Sequence, residues 1–378
     1  MNKTNILHIT PSLGLGGAET FMYRLIKQDK NYNHYILCLK DKGYYGKKLE
    51  EQGYVVFALN FGSIINPLKI GKQLKLIFKS HKPSILNCWM YHGALFGALI
   101  SLLYYKKPLI WLIRHSELNF RSTKISTLLV AKLCAFLSSR YPQSIIYNSE
   151  KSKKIHEELG YASQKSVLIH NGFSLDEFYP DKIAGLNLRK NLKILKNDLV
   201  FLHIARWHED KDHETCLKSL ALFKRHYKSS WKVIFAGTDM NTTNVTLQEI
   251  ISKNNLSEHC ILLGECADTK ELYNAADLTL LSSSSESFPN VIGESMACST
   301  PCISSAVGSV GSIIHDENWL FPVKDYRQMA TIIHEAILLK SNEQDWEDLK
   351  KDCRKLIENK FSIKKILSLY QSKWEISQ

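Results

Sequence analysis

Two series of short apolar runs, each run followed by a segment of helical pattern, limit what this chain can fold into. "NILHIT", "HYILCLK", "YVVFALN", "SILNCW", "LIWLIRH" and "SIIYNS" are continuous β-rich strings rather than alternating ones. An alternating strand is covered on one face, whereas a continuous one is buried on both, as happens when crossover helices coat a parallel sheet. The first half therefore reads as a doubly wound parallel sheet. After "SVLIHNGFSLDEFYP" the series restarts with "LVFLHIAR", "WKVIFAGT", "CILLGE", "LTLLSSS" and "PCISSA", and three helical stretches close the chain. The expected architecture is α/β with two Rossmann-like doubly wound domains, residues 1–168 and 169–361. No low-complexity linker separates them, so they are expected to pack edge to edge around a central cleft. A length of 378 residues suits two such domains.

Composition narrows the class. Hydrophobic residues at 44% with 23% charged describe a globular chain, not a disordered one. The nine cysteines are odd in number, scattered and without a CxxC pair, which points to a reducing cytoplasm and away from a zinc site. "MNKTNILHITPS" lacks the apolar core of a signal peptide, so the sequons at Asn241 and Asn244 read as chance matches. Residues 85–104, "ILNCWMYHGALFGALISLLY", are apolar enough to test as a membrane span. Asn87, His92, Gly93 and Gly97 interrupt them, and a buried strand followed by a buried helix fits better.

The net charge of +12 is unevenly spread. Residues 1–180 hold 24 Lys/Arg against 11 Asp/Glu, while the remainder hold 25 against 26. The first domain thus faces something anionic. "NPLKIGKQLKLIFKSHK" sets Lys69, Lys72, Lys75, Lys79 and Lys82 opposite Ile70, Leu74, Ile77 and Phe78, a helix with a basic and an apolar face. That basic face is either solvated or drawn to an anionic membrane. No nucleic-acid-binding module accompanies the basicity, so nucleic acid is not an expected partner.

Open α/β sheets bind ligands beyond the carboxyl ends of their strands, and the motifs lie there. In "SSSSESFPNVIGESMACSTPC", Ser287 reads as an N-cap with Pro289 in the first helical turn. The backbone of Phe288, Pro289, Asn290 and Val291 would then form an anion seat at the positive end of the helix dipole. Glu286 stands before this seat and Glu294 about five residues into the helix, so a diphosphate there would bring its ribose to Glu294 and the group beyond it to Glu286. "HIARWHEDKDH" presents Arg206 and Lys211 at another strand end, two cations suited to a diphosphate that departs with added charge. Gly237, following "WKVIFA", is placed in the same donor-binding set.

Two other patterns mislead. Asp210-Lys211-Asp212 is a literal DxD, but the intervening lysine and a helix start at Asp212 favour capping over metal binding. His203, His208 and His213 recur every five residues, which fits neither one strand face nor one helix face. "HITPSLGLGGAET" is a glycine-rich turn in which Gly14, Gly16 and Gly17 admit either a ligand or a tight bend. Glu19 occupies the last glycine position of GxGxxG, so the dinucleotide fingerprint is broken. "WLIRHSE" ends a strand with Arg114 and His115, the latter a substrate contact or an ordinary strand-end histidine.

Taken in order, "GGAE" at 16–19, "RHS" at 114–116, "IIYNS" at 145–149, "IHNGFSLDEFYP" at 169–180, "ARWHEDKDH" at 205–213 and the E-x7-E of Glu286 and Glu294 resemble family 4 of the retaining glycosyltransferases. These enzymes have the GT-B architecture, and the resemblance is strongest to bacterial members that build surface polysaccharides. It implies that Glu294 binds the donor ribose, Arg206 and Lys211 the diphosphate, and Glu286 the transferred sugar. His115 and the Gly16-Gly17 turn would close over the sugar, no metal or other cofactor would be needed, and a final helix over 362–378 would brace the first domain. The sequence departs from the family with Ser287 where glycine is common, and with Ser295 and Ser299 where alanine and glycine are.

The expected activity is therefore transfer of a hexose or N-acetylhexosamine from a nucleotide sugar, with UDP favoured over GDP. The expected acceptor is a glycan or polyprenyl-diphosphate-linked saccharide, at the cytoplasmic face of the cell membrane. A nicotinamide-dependent oxidoreductase and a non-catalytic nucleotide-sugar-binding protein are the competing classes.

Overall fold

The structure, a computed structural model, describes residues 3–62, 67–103, 107–115, 124–266 and 268–376. The chain divides into two compact units, Met1–Gly172 with Ile363–Gln378, and Phe173–Ser362. The boundary falls at Gly172 rather than 168 because Ile169 belongs to the first unit's core while Phe173 belongs to the second's. The return works the same way: Phe361 is buried in the second unit and Ile363 in the first.

In the first unit the order is β1 (Asn5–Thr10), α1 (Gly17–Gln28), β2 (Asn33–Cys38), α2 (Gly43–Glu51), β3 (Val55–Ala58), α3 (Pro67–His81) and β4 (Ile85–Trp89). It continues with α4 (Met90–Leu103), β5 (Leu109–Ile113), α5 (Ile125–Ser138), β6 (Ser144–Tyr147), α6 (Glu150–Glu158) and β7 (Ser166–Leu168). All pairings are parallel, in the order β3-β2-β1-β4-β5-β6-β7. β4 and β5 are buried throughout, as their unbroken apolar runs require. Residues 85–103 are thus a buried strand and a helix packed close to the sheet. A Cβ at Gly93 would lie 2.6 Å from the Ile9 carbonyl oxygen, so the glycines that interrupt this run let α4 approach. Among the described residues no helix is long and apolar enough to cross a membrane.

The second unit runs α7 (Lys182–Asn191), β8 (Leu199–Ile204), α8 (His213–His226), β9 (Trp231–Ala236), α9 (Val245–Lys253), β10 (Cys260–Leu262) and α10 (Lys270–Ala275). It ends with β11 (Leu278–Leu281), α11 (Asn290–Ala297), β12 (Cys302–Ser305), α12 (Val310–Ile313), β13 (Leu320–Phe321), α13 (Tyr326–Lys340) and α14 (Glu343–Leu356). Its parallel sheet has the order β10-β9-β8-β11-β12-β13. The last helix, α15 (Ile363–Ile376), returns to the first unit and packs on α1.

A buried polar chain holds α15. Trp89 Nε1 donates to His8 Nδ1 at 3.1 Å, and an indole N–H can only donate, so the His8 proton sits on Nε2. His8 Nε2 then donates to His34 Nδ1 at 2.9 Å, and His34 Nε2 donates to Asp29 Oδ2 at 3.1 Å. Gln371 of α15 completes the series, donating to Asp29 Oδ1 at 3.1 Å. Arg114, buried, gives a second tie: it donates to Asn171 and to the Tyr370 hydroxyl of α15, and its guanidinium lies 4.1 Å from the Phe21 ring centroid. Arg114 is therefore part of the frame.

Burial holds several histidines neutral. It lowers His8 well below the usual imidazole value, with His34 adding to the effect, and lowers His156 to about 4. His156 donates from Nδ1 to the Ser152 carbonyl at 2.6 Å and accepts from Tyr91 Oη at 2.7 Å. A folded-state value below the unfolded one means that the unfolded chain takes up protons first as pH falls. Stability should be intact above about pH 6.5 and decline towards pH 4, by roughly 3 kcal/mol for a fully shifted histidine such as His156. Thermal melts across that range should show Tm falling with pH, with a shallower decline in His156→Gln.

Candidate active site

The strand order of the second unit reverses between β8 and β11, and their parallel pairing brings both carboxyl ends to one edge. The loop after β8 carries Arg206 and Lys211, and the loop after β11 carries Glu286. Lys211 Nζ donates to Glu286 Oε1 at 2.5 Å, and Ser283 Oγ donates to the same oxygen at 2.8 Å. Arg206 is exposed on the same loop as Lys211.

Serines fasten these loops to each other. Ser282 Oγ donates to the Lys211 carbonyl at 3.0 Å, Ser284 N to the Asp210 carbonyl at 2.8 Å, and Ser305 Oγ, at the end of β12, to the Ser283 carbonyl at 2.5 Å. The role of "SSSS" is therefore backbone stitching, which a low-information serine run did not reveal. Asp212 adopts φ 44° and caps α8, accepting from Thr215 N at 3.2 Å and Thr215 Oγ1 at 2.7 Å, while Asp210 lies 3.2 Å from His208 Nδ1. Behind them, His203 Nε2 lies 3.2 Å from Ser282 Oγ, and the His203 and His213 rings are 4.8 Å apart. Burial lowers His203 well below its usual value and His213 to about 4, so both are neutral braces for the Lys211 loop.

Two glycines set the backbone here. Gly237 has φ +138°, and a Cβ on it would lie 2.3 Å from the Ala205 carbonyl oxygen and 2.9 Å from Arg206 N. Its place at the site is thus beneath the Arg206 loop. Gly308, absent from the sequence expectations, has φ +56° and would bring a Cβ to 2.1 Å from the Glu286 carbonyl oxygen. It lies in the loop after β12, a turn with no motif to flag it.

The helix after Glu286 begins later than expected. α11 starts at Asn290, with Pro289 at the N-cap and no side-chain capping bond from it. Ser287 is not the cap, and Pro289 brings no N–H, so the helix-tip amides begin with Asn290 and Val291. Phe288 is buried, its ring stacked at 6.1 Å on Phe173 and 5.8 Å from Phe361. That burial pulls the chain inward and delays the helix, so the Phe288 side chain is core. Glu294 lies about 6 Å along the axis from Asn290. It is buried and accepts from Tyr273 Oη at 2.7 Å, a partner on α10 that sequence spacing did not suggest. The serines that depart from the family are accommodated: Ser295 Oγ lies 2.7 Å from Thr279 Oγ1, and Ser299 adopts φ 60°, the conformation that favours glycine there.

In the first unit, Gly16 caps α1, and a Cβ on it would lie 2.4 Å from Glu19 Oε2. The Glu19 carboxylate folds back over the turn and accepts from Ser12 Oγ at 2.6 Å. Gly17 opens the helix. A carboxylate in this position repels a pyrophosphate, which removes the physical basis for a nicotinamide dinucleotide at this turn. His115 follows β5, with its carbonyl accepting from Ser152 Oγ at 2.7 Å and its ring 6.1 Å from that of Tyr91. Ser116 of the same motif lies outside the described residues. All nine cysteines are free thiols.

Solved structures give the fold its class. Anabaena Alr3699/HepE in complex with UDP and glucose matches with a TM-score of 0.83 at 20% identity, covering 98% of this chain and 99% of that one. Two doubly wound parallel-sheet units in one chain are the plan of the GT-B class of glycosyltransferases. The family follows from the sequence matches: the "Glycosyltransferase Family 4" model covers residues 15–177 and the "Glycosyl transferases group 1" model residues 186–363. The chain belongs to the family 4 type of GT-B glycosyltransferase.

Its curated relatives are distant. N-acetyl-alpha-D-glucosaminyl L-malate synthase of Bacillus anthracis is 25% identical over 52% of this chain, which spans about half (51%) of that protein's length. The capsular polysaccharide biosynthesis glycosyltransferase CapM of Staphylococcus aureus is 23% identical over 79% of this chain and 78% of its own. N,N'-diacetylbacillosaminyl-diphospho-undecaprenol alpha-1,3-N-acetylgalactosaminyltransferase of Campylobacter jejuni is 24% identical over 87% and 90%.

The Gly308 contact is open to test. Gly308→Ala should destabilise the chain by about 2–4 kcal/mol and displace Glu286, whereas Gly311→Ala, with no atom within 4 Å of its new Cβ, should change stability by under about 0.5 kcal/mol. Paired denaturant melts of the two variants check this.

Proposed function

We propose that the protein transfers a hexose or N-acetylhexosamine from a nucleotide diphosphate sugar, UDP in preference to GDP, to a saccharide hydroxyl with retention at the anomeric carbon. Its place is bacterial surface-polysaccharide biosynthesis, and its acceptor is a glycan or a polyprenyl-diphosphate-linked saccharide at the inner face of the membrane. The relatives named for capsular polysaccharide biosynthesis and for a diphospho-undecaprenol-linked acceptor support this reading.

One observation carries it: Lys211 and Glu286 meet at 2.5 Å where β8 and β11 adjoin, between the Arg206 loop and the tip of α11. An arriving diphosphate competes for Lys211. Once Lys211 turns to phosphate, the Glu286 carboxylate is left to accept from hydroxyls of the transferred sugar. Arg206, Lys211 and the α11 amides hold the diphosphate, and Glu294, oriented by Tyr273, accepts from the ribose hydroxyls.

In the reaction the anomeric carbon–oxygen bond breaks, and its electron pair goes to the nucleoside diphosphate. The acceptor oxygen bonds to that carbon on the same face, and its proton passes to the departing phosphate oxygen. The cations are in place before the charge develops, so little reorganisation is needed. The transfer runs without a metal, the DxD carboxylates being committed to capping α8 and pairing with His208. His115 and the Gly16-Gly17 turn supply contacts to the sugar and acceptor.

A thermal-shift panel of nucleotide sugars, followed by product NMR, tests the reading: a UDP-sugar should raise Tm, and product and donor should share anomeric configuration. Lys211→Ala and Arg206→Ala should each lower kcat by about 10²–10³-fold. Glu294→Ala should weaken nucleotide binding, whereas Glu286→Gln should spare it and cut turnover. Wild-type behaviour in both glutamate variants, or a trapped glycosyl-enzyme adduct, would refute the assigned roles.

A further inference from the structure

α5 is apolar on the side that faces the sheet and on the side that does not. Leu128, Ala131, Cys134 and Ala135 are buried, while Ile125, Leu129, Leu133 and Phe136 are exposed, Leu129 by 63% and Phe136 by 80%. The exposed four recur at intervals of four, four and three residues, one continuous stripe. α4 packs beside α5 and adds exposed Leu99, Leu102 and Leu103. Scattered exposed leucines are ordinary, but an apolar stripe along one helix, with further exposed leucines on the helix packed beside it, marks an interaction site.

The surroundings identify the partner. The inward residues of α3, α4 and α5 share one core cluster, so the three helices cover the same face of the sheet. On its outer side α3 exposes Lys69, Lys72, Lys75 and Lys79 together with Leu68 and Leu76. The sequence holds no acidic residue between Glu51 and Glu117, and none between Glu117 and Glu150. A second copy of the chain would press lysines against lysines with no carboxylate to pair them. A sheet of lipid phosphates over acyl chains complements both the charge and the apolar stripe.

We propose that the outer face of α4 and α5 seats on an anionic lipid bilayer, with Leu129, Leu133 and Phe136 entering the boundary between headgroups and acyl chains. The lysines of α3 draw the protein to the surface, and the apolar stripe holds it. The site thus differs from a purely electrostatic contact through α3. It deepens the lipid-linked-acceptor reading above and rests on that reading for its purpose, though binding is measured without donor or acceptor.

The test is flotation with vesicles of equal parts phosphatidylglycerol and phosphatidylcholine. The wild-type chain should float and should retain binding at high salt. The triple variant Leu129→Gln, Leu133→Gln, Phe136→Gln should lose about ten-fold or more of its partition at any salt. Lys72→Glu, Lys75→Glu, Lys79→Glu together should weaken binding chiefly at low salt. Absence of wild-type binding, wild-type binding by the glutamine variant, or a wild-type dimer that this variant turns to monomer would overturn the proposal.

Should the glutamine variant melt early, Leu133→Trp decides. Its added emission should shift to the blue on vesicles and be quenched by lipids brominated in the acyl chain, and indifference to both would overturn the proposal. Vesicle binding that persists when no nucleotide sugar raises Tm sinks the proposed function alone. A retained nucleotide-sugar shift with no vesicle binding sinks the surface alone.

Discussion

β8 and β11 lie side by side although α8, β9, α9, β10 and α10 separate them in the chain. That one parallel pairing governs the chemistry of the second unit. Parallel strands end on the same edge, so the pairing delivers both loops to it. Lys211 and Glu286, far apart in sequence, meet there. The serine bonds, the capping by Asp212 and the glycine at 308 then refine an encounter that the strand order has already made.

The first unit solves a different problem by similar means. Its last helix, α15, is separated from the rest of the unit by the whole of the second, so its return must be specified by contacts rather than by connection. Apolar packing through Ile366, Tyr370 and Trp374 supplies burial without direction. The directional part comes from Gln371 on Asp29 and from Tyr370 on Arg114, hydrogen bonds that one placement of the helix satisfies. A misplaced α15 would leave a buried guanidinium and carboxylate short of partners, which costs more than a lost apolar contact. The neutrality of His8 follows, because burial disfavours a charge there and His34 beside it adds to the effect.

Charge and apolar surface also divide the labour between the units. The second unit is mildly acidic, with 22 Lys/Arg against 27 Asp/Glu over residues 173–362, and Arg206 and Lys211 stand in one defined loop. The first concentrates its excess on an acid-free stretch and sets an exposed apolar stripe beside it. A localised charge selects a small anion; a spread charge beside an apolar face suits an extended anionic surface.

The alternation of strand and helix, the restart after residue 170 and the capping role of the DxD were legible because each rests on local physics: burial on both faces, turn chemistry, capping. The late start of α11 was not, since Ser287 satisfies every local rule for an N-cap and is overruled by the burial of Phe288 against Phe173 and Phe361. The bond from Tyr273 to Glu294 and the close approach of Gly308 to Glu286 join segments that no period relates. By itself the sequence determined which segments become strands and helices, and which residue types stand at the strand ends, because those depend on neighbours a few positions away. Only the tertiary structure decided which strand ends adjoin, which carboxylate meets which cation and which leucines remain exposed, because those depend on the order of strands in the sheet and on what each helix packs against.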